Sequence, residues 1–174
     1  MALKTLDDSM LDQIRDLFLF SCYTGLAYTD ISRLLTSSVV IGVDGQQWIF
    51  TSRKKTGTPS HIPLLPLPMS IVTKYASHPD CQRKGLLLPS LTNHKINAGL
   101  KNVAVKCGIG KLLTFHVARH TFATTVTLQN GVPIESVSKM LGHTYISTTQ
   151  HYAKILDIKV AQDMSLLRKK LQDN

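Results

Sequence analysis

Two short stretches of this chain gather the side chains that phosphate chemistry needs. The first reads Phe115-His116-Val117-Ala118-Arg119-His120; the second is Leu141-Gly142-His143, with Tyr152 nine residues beyond that histidine. Arginine offers planar, permanently charged donors that match phosphate oxygens. Histidine passes protons near neutral pH, and a tyrosine phenol can act as a covalent nucleophile. A cationic pocket with a phenol at its edge suits attack on a phosphodiester. On a helix, His116, Arg119 and His120 fall at i, i+3 and i+4 and lie near one another. His116 and His120 also have the spacing of a zinc helix, but Val117 stands where a zincin carries glutamate. No metal is therefore expected. Gly108-Ile109-Gly110 lacks the continuation of a phosphate-binding loop, so no cofactor is expected either.

The ordered set His116-x-x-Arg119, Leu141-Gly142-His143 and Tyr152 follows Thr24-Gly25-Leu26 and Arg53-Lys54-Lys55-Thr56-Gly57. It resembles the catalytic domain of tyrosine recombinases, the phage-type integrases, over nearly the whole chain. The resemblance implies a site-specific DNA recombinase or integrase that cleaves, exchanges and rejoins strands without metal or ATP. In that reading Tyr152 attacks a scissile phosphodiester, forming a 3′-phosphotyrosyl bond and freeing a 5′-hydroxyl. Arg119 and His143 bind non-bridging oxygens. His116 bonds the same phosphate and exchanges a proton with the nucleophile. Lys55, on a strand hairpin, protonates the leaving oxygen, with Lys54 as the alternative. Tyr145 and Tyr28 are the less suitable phenols, and His120 and His151 are expected to support the site or contact DNA. Asp30 takes the family's acidic position and is expected to organise the arginine pocket.

One position departs from the family pattern. Ala27 follows Thr24-Gly25-Leu26 where an arginine is usual. Arg33, Arg53 and a hairpin lysine are the candidates to replace it. Two alternatives to the recombinase are a DNA-binding regulatory module with a decayed active site, which Ala27 favours, and a type IB topoisomerase-like enzyme. The resemblance further implies a bacterial mobile element or phage and a cytoplasmic, nucleoid-associated protein. Its partners would be double-stranded DNA and other protomers, four in the full-length assembly. Relatives carry a helical core-binding domain on the N-terminal side. Residues 1–174 are expected to form the catalytic domain alone.

Composition agrees with such a partner. The chain has 174 residues, 20 Lys and Arg against 11 Asp and Glu, and a formal charge of +9. That length suits one domain, able to bury about 70% of its unfolded surface. A basic balance favours polyanions. No apolar run approaches the ~18 residues of a membrane span, and residues 1–20 do not read as a signal peptide. Cys22, Cys81 and Cys107 are odd in number and lack close pairing, which fits a reducing setting.

The positioning elements follow from periodicity. Leu11, Ile14, Leu17 and Phe18 predict a core helix over 7–23, capped near Thr5 or Asp8 and broken at Thr24-Gly25. A short helix with Ile31 and Leu34 inward comes next. Strands are expected over 39–43, 48–52 and 61–64, joined at Asp44-Gly45 and Thr56-Gly57 into a three-stranded antiparallel sheet. Pro66 starts a helix to about Ser77, residues 80–92 read as a loop, and Thr92 or Asn93 caps a helix to Cys107 with Ile96, Leu100, Val103 and Val105 inward. A helix over 115–128 carries Phe115, Ala118, Phe122 and Val126 on one face. Pro133 opens another, with Ile134, Val137 and Leu141 inward and Gly142 as its stop. Ser147-Thr148-Thr149 reads as the cap of a short helix carrying Tyr152. From Asp157, an apolar stripe of Val160, Met164, Leu167 and Leu171 predicts an amphipathic helix that docks on its own domain or a neighbour. The fold class is α+β, mainly helical, with one small sheet.

Overall fold

The structure, a computed structural model, describes residues 1–2, 4–152 and 157–172. Its centre is helix α1, Ser9–Thr24. Asp8 caps it, accepting from the backbone N–H groups of Met10 and Leu11 at 2.8 and 3.1 Å. Ile14, Leu17, Phe18 and Phe20 are buried along it. α3 (Pro66–Tyr75), α5 (Asn93–Lys106) and α6 (Phe115–Thr121) pack around α1. Gly99 of α5 is what lets that helix close on α1, because a Cβ there would lie 2.3 Å from Ile14 Cδ1. Lys74 and Tyr75 of α3 bond the Asp16 carboxylate of α1, Tyr75 at 3.0 Å, and Arg15 closes the same network.

α1 stops at Gly25, whose φ of 69° is left-handed. A Cβ at Gly25 would also meet Phe122 Cδ1 at 2.4 Å. Both the turn and the close approach of the next helix therefore require glycine. Helix α2, Tyr28–Ile31, follows at once, and Asp30 and Ile31 on it are buried.

The sheet is antiparallel in the order β1 (Val39–Ile41), β2 (Gln47–Ser52), β3 (Pro59–Pro63). Val39 pairs with Ile49, and Ile49 with Ile62. Ile49 and Ile62 are buried on the inner face. The first strand ends sooner than its apolar run suggests, and Val43 is fully exposed. The turn takes residues 42–46: Gly42 N–H donates to Gln46 O, and the Trp48 indole lies where a Cβ on Gly42 would be. The indole N–H donates to Asp44 at 2.8 Å.

Three other expectations are corrected. Residues 79–84 form a helix, α4, rather than part of a loop. Pro79 opens it, Asp80 occupies its positive first turn, and Gly85 closes it with φ 64°. Val105 faces solvent, 79% exposed, because α5 buries Val103 and Ala104 instead. The helix expected over 115–128 is α-helical only to Thr121. A π-helical turn, Phe122–Thr127, and a 3₁₀ turn, Leu128–Asn130, complete it. Thr127 Oγ1 donates to both Phe122 O and Ala123 O, at 2.9 and 2.8 Å, in a run rich in β-branched residues.

Beyond these come α7 (Ile134–Leu141), α8 (Ile146–Gln150) and α9 (Asp157–Gln172). Val137 and Leu141 of α7 pack with Phe122 and Ala123. On α9, Val160, Met164, Leu167 and Leu171 stand exposed in the single chain. Among the described residues no helix is long and apolar enough to cross a membrane.

Candidate active site

Five elements meet at one open cleft of about 350 Å³, lined by Ala27, Tyr28, Arg53, Phe115, His116, Arg119, His143 and Tyr152. Arg119 forms its floor and is 6% exposed. Thr114 caps α6 by accepting from Val117 N–H, and Phe115 and Ala118 anchor the helix in the core. That anchoring turns Arg119 inward and leaves His116 exposed at the rim. Arg119 Nη1 donates to Gly25 O at 2.5 Å, and Nη2 donates to Leu141 O at 2.6 Å. Nη2 also lies 3.0 Å from His143 Nε2. Burial, and then the neighbouring Arg53 charge, lower the Arg119 pKa to about 10, while Tyr152 and Asp30 oppose the shift. The group remains cationic at neutral pH.

His143 sits just past the left-handed Gly142 that stops α7. Its Nδ1 is 2.8 Å from Thr149 Oγ1. Burial, then the charges of Arg119 and Arg53, push its pKa down to about 4, so the ring is neutral at pH 7. Tyr152 is half-buried and lies nearly parallel to this ring, 6.2 Å between centroids with planes 9° apart. The His120 ring meets Tyr152 edge-on at 5.3 Å. Tyr152 is not on a helix as expected: it follows α8, in a turn where its N–H donates to Thr149 O at 2.9 Å. Ser147, Thr148 and Thr149 lie inside α8 rather than capping it.

The space beside Ala27 is not empty. Arg53, from the end of β2, reaches the cleft there. Its Nε faces Asp30 Oδ2 at 3.0 Å as an ion pair, and Nη1 donates to Leu141 O at 3.2 Å. Asp30 is 1% exposed and spends its other oxygen on Lys54 N–H, 2.9 Å away. Asp30 thus pins the hairpin backbone and the arginine together. Gly142 makes room for the arm, since a Cβ there would lie 2.7 Å from Arg53 Cγ. Further along, Ser60 Oγ donates to Met140 O and Thr58 Oγ1 lies 3.2 Å from Thr144 Oγ1, so the β2–β3 hairpin is docked on the α7 end.

The remaining sequence candidates lie elsewhere. Lys54 and Lys55 are exposed on the hairpin turn, outside the cleft lining. Arg33 donates to Ser52 O at 2.5 Å and faces solvent, 3.8 Å from Asp30. The Tyr28 hydroxyl donates to Leu91 O at 3.0 Å, and Tyr145 is 72% exposed, so neither phenol is presented to Arg119. His151 is exposed. Sequence reasoning missed Thr149. Its signal was position alone: six residues after His143, it returns to that ring across one turn.

Fold and cleft together define a class: a mainly helical α+β domain with a cationic, phenol-edged pocket. The chain belongs to the phage integrase family, whose model matches residues 3–158. Among curated relatives it is similar to tyrosine recombinase XerD of Listeria monocytogenes serotype 4b (strain F2365), 44% identical over 61 residues, 35% of this chain and 20% of that protein. XerD of Staphylococcus haemolyticus (strain JCSC1435) is 40% identical over 72 residues, 41% of this chain and 24% of that protein. These matches thus span about a quarter or less of the relatives' length. Among solved structures, XerA recombinase aligns with a TM-score of 0.67 at 22% identity, covering 95% of this chain and 65% of that one. XerH site-specific recombinase bound to palindromic difH substrate, a post-cleavage complex, aligns with a TM-score of 0.71 at 16% identity, covering 96% and 49%. A dimer of lambda integrase(75-356) bound to a COC′ core site aligns with a TM-score of 0.60 at 15% identity, covering 81% and 52%. The fold is that of the catalytic domains of tyrosine recombinases.

Proposed function

We propose that this chain is the catalytic domain of a site-specific DNA recombinase, with Tyr152 as nucleophile and Arg53 standing in for the arginine absent at Ala27. The observation that carries the reading is Arg53 itself. It enters the cleft beside Ala27, held by Asp30 and by the Leu141 carbonyl that also holds Arg119. A decayed site has no use for a second guanidinium, 16% exposed, which must be largely desolvated to sit there.

In the proposed reaction the Tyr152 oxygen bonds to phosphorus as the bond to the 5′-oxygen breaks. The phenol proton passes to His116 at the rim. The leaving oxygen takes a proton from Lys55, or from Lys54, once the hairpin turn closes on DNA. Arg119, Arg53 and His143 meet the non-bridging oxygens, where negative charge is spread in the transition state. The phosphotyrosyl bond keeps the energy of the broken linkage, so a 5′-hydroxyl can reverse the step without ATP. Partners in this reading are double-stranded DNA and further copies of the recombinase.

The test is trapping on a nicked suicide substrate carrying the recombination site. The parent sequence should give a covalent protein–DNA adduct that survives EDTA, and Tyr152→Phe should give none while binding DNA nearly as well. An adduct persisting in Tyr152→Phe would overturn the assignment and point to Tyr145. Relaxation of plasmids lacking any specific site would favour the topoisomerase reading instead.

A further inference from the structure

Thr149 is fully buried, and its hydroxyl lies 2.8 Å from Nδ1 of His143. On the other side of the same ring, Nε2 lies 3.0 Å from Arg119 Nη2. An arginine nitrogen only donates. Nε2 must therefore accept, which leaves the proton of the neutral ring on Nδ1, donated to Thr149. Such an arrangement is the wrong way round for a phosphate. A phosphoryl oxygen accepts, so His143 can bond it only through an Nε2–H. A ring that stays neutral, as burial and the charges of Arg119 and Arg53 favour, then presents a bare Nδ1, and a buried bare nitrogen needs a donor.

A hydroxyl is the one kind of neighbour that serves both states, because it accepts in one orientation and donates in the other. We propose that Thr149 is a positioning residue that holds His143 in either tautomer. It accepts from Nδ1–H while Arg119 is bonded within the protein, and donates to Nδ1 when a phosphoryl group draws Arg119 away and takes Nε2–H. In the exchange Nε2 takes a proton from buffer acid in the cleft, giving a transient imidazolium. The Nδ1 proton then passes to buffer base as the Thr149 hydroxyl turns, so the ring ends neutral and no proton is gained or lost overall. Thr149 also fixes where the nucleophile starts, since its carbonyl accepts from Tyr152 N–H at 2.9 Å. One residue thus touches both the His143 ring and the backbone of the phenol. The proposal rests on the functional reading above only for the identity of the phosphoryl group; the tautomer in the free chain is independent of it.

The test uses this chain labelled with ¹⁵N-histidine, and long-range ¹H–¹⁵N spectra at pH 7, with and without saturating inorganic phosphate. The free chain should show His143 protonated at Nδ1, and phosphate should move the proton to Nε2. Thr149→Val keeps the shape and removes the hydroxyl. It should leave the free-chain tautomer, which Arg119 dictates, and abolish the phosphate-driven shift to Nε2–H. It should also slow adduct formation on a suicide substrate by on the order of 10- to 100-fold, the scale on which a histidine's orienting partner matters. DNA affinity should change little, and Thr149→Ser should restore both readouts. An Nε2–H tautomer in the free chain would overturn the proposal, as would no response to phosphate. A Thr149→Val variant that melts earlier but still moves the His143 proton to Nε2 with phosphate as the parent does would reduce Thr149 to a packing role. Failure of Tyr152→Phe to lose the adduct would instead sink the functional reading, and leaves the spectra to decide on Thr149 alone.

Discussion

Arg53 and Arg119 donate to one carbonyl oxygen, that of Leu141. Two like charges share a small space, and the lowered pKa of Arg119 records part of that cost. Arg53→Gln should keep the fold and lower the cleavage rate by about 10²–10³, the usual loss of about 3–4 kcal/mol for one preorganised donor. Ala27→Arg should add little, because the place is taken. Adduct formation in the two variants checks both, and a fast Arg53→Gln enzyme would return the decayed-site reading to favour. His143 gives a pH dependence whose sign is fixed. Its pKa falls from the ordinary 6.5 to about 4 on folding, so the unfolded chain binds more protons between those values. Stability is therefore fully present above about pH 6.5 and is lost as pH falls toward 4. Denaturant melts of the parent and His143→Gln should diverge above pH 6.5 and converge toward pH 4. At this scale the sequence was legible where a motif fixes position, as for Arg119, His143 and Tyr152. It was not legible where a contact crosses the chain. Arg53 was one of several cations until Asp30, 23 residues before it, and Leu141, 88 residues after it, fixed its direction. Thr149 was hidden because a serine–threonine run reads equally well as a cap.

The elements that place the site are fixed by punctuation more than by propensity. Gly142 ends α7 with φ 62° and clears the path of Arg53. Gly142→Ala should cost about 1–2 kcal/mol for the left-handed backbone and should also displace Arg53. Gly131, with φ 80° but open space beside it, is the control. Gly131→Ala should lose similar stability in urea melts and keep cleavage, whereas Gly142→Ala should lose both. Equal cleavage in the two variants would show that Arg53 has slack. The long core helix, the three strands and the helix-ending glycines were readable because period and turn residues agree. α4 was missed because six residues carry too little periodicity, although Pro79 and Gly85 frame it. The π turn was missed because its cause is a threonine hydroxyl bonding back along the helix, which no apolar spacing records.

For the whole molecule, charge and the exposed stripe of α9 set the expectations. With a formal charge of +9, DNA binding should weaken steeply with salt, log K falling linearly with log salt concentration. A titration from low to physiological salt checks it, and a flat response would argue that phosphates are not the main partner. Val160, Met164, Leu167 and Leu171 are exposed on the single chain, a stripe that water does not favour. Truncation after Leu156 should therefore leave the melting temperature of the isolated chain nearly unchanged and reduce cooperative assembly on DNA. Unchanged assembly would remove any role for α9 between protomers.

A guanidinium carried by a hairpin differs from one carried by a helix in a further respect. Residue 27 belongs to the short turn between α1 and α2, next to buried Gly25 and Leu26, so a charge there would be a permanent resident. Arg53 stays in the cleft only while the backbone of its hairpin is latched, by Lys54 N–H on Asp30 and by Ser60 on Met140. The number of positive charges facing a bound phosphate thus becomes a conformational variable, and mass action ties the two events: an anion that needs Arg53 must also hold the latch shut. The amide hydrogen of Lys54 is the reporter. Its exchange with solvent should slow as inorganic phosphate fills the cleft, and in Arg53→Gln that protection should disappear.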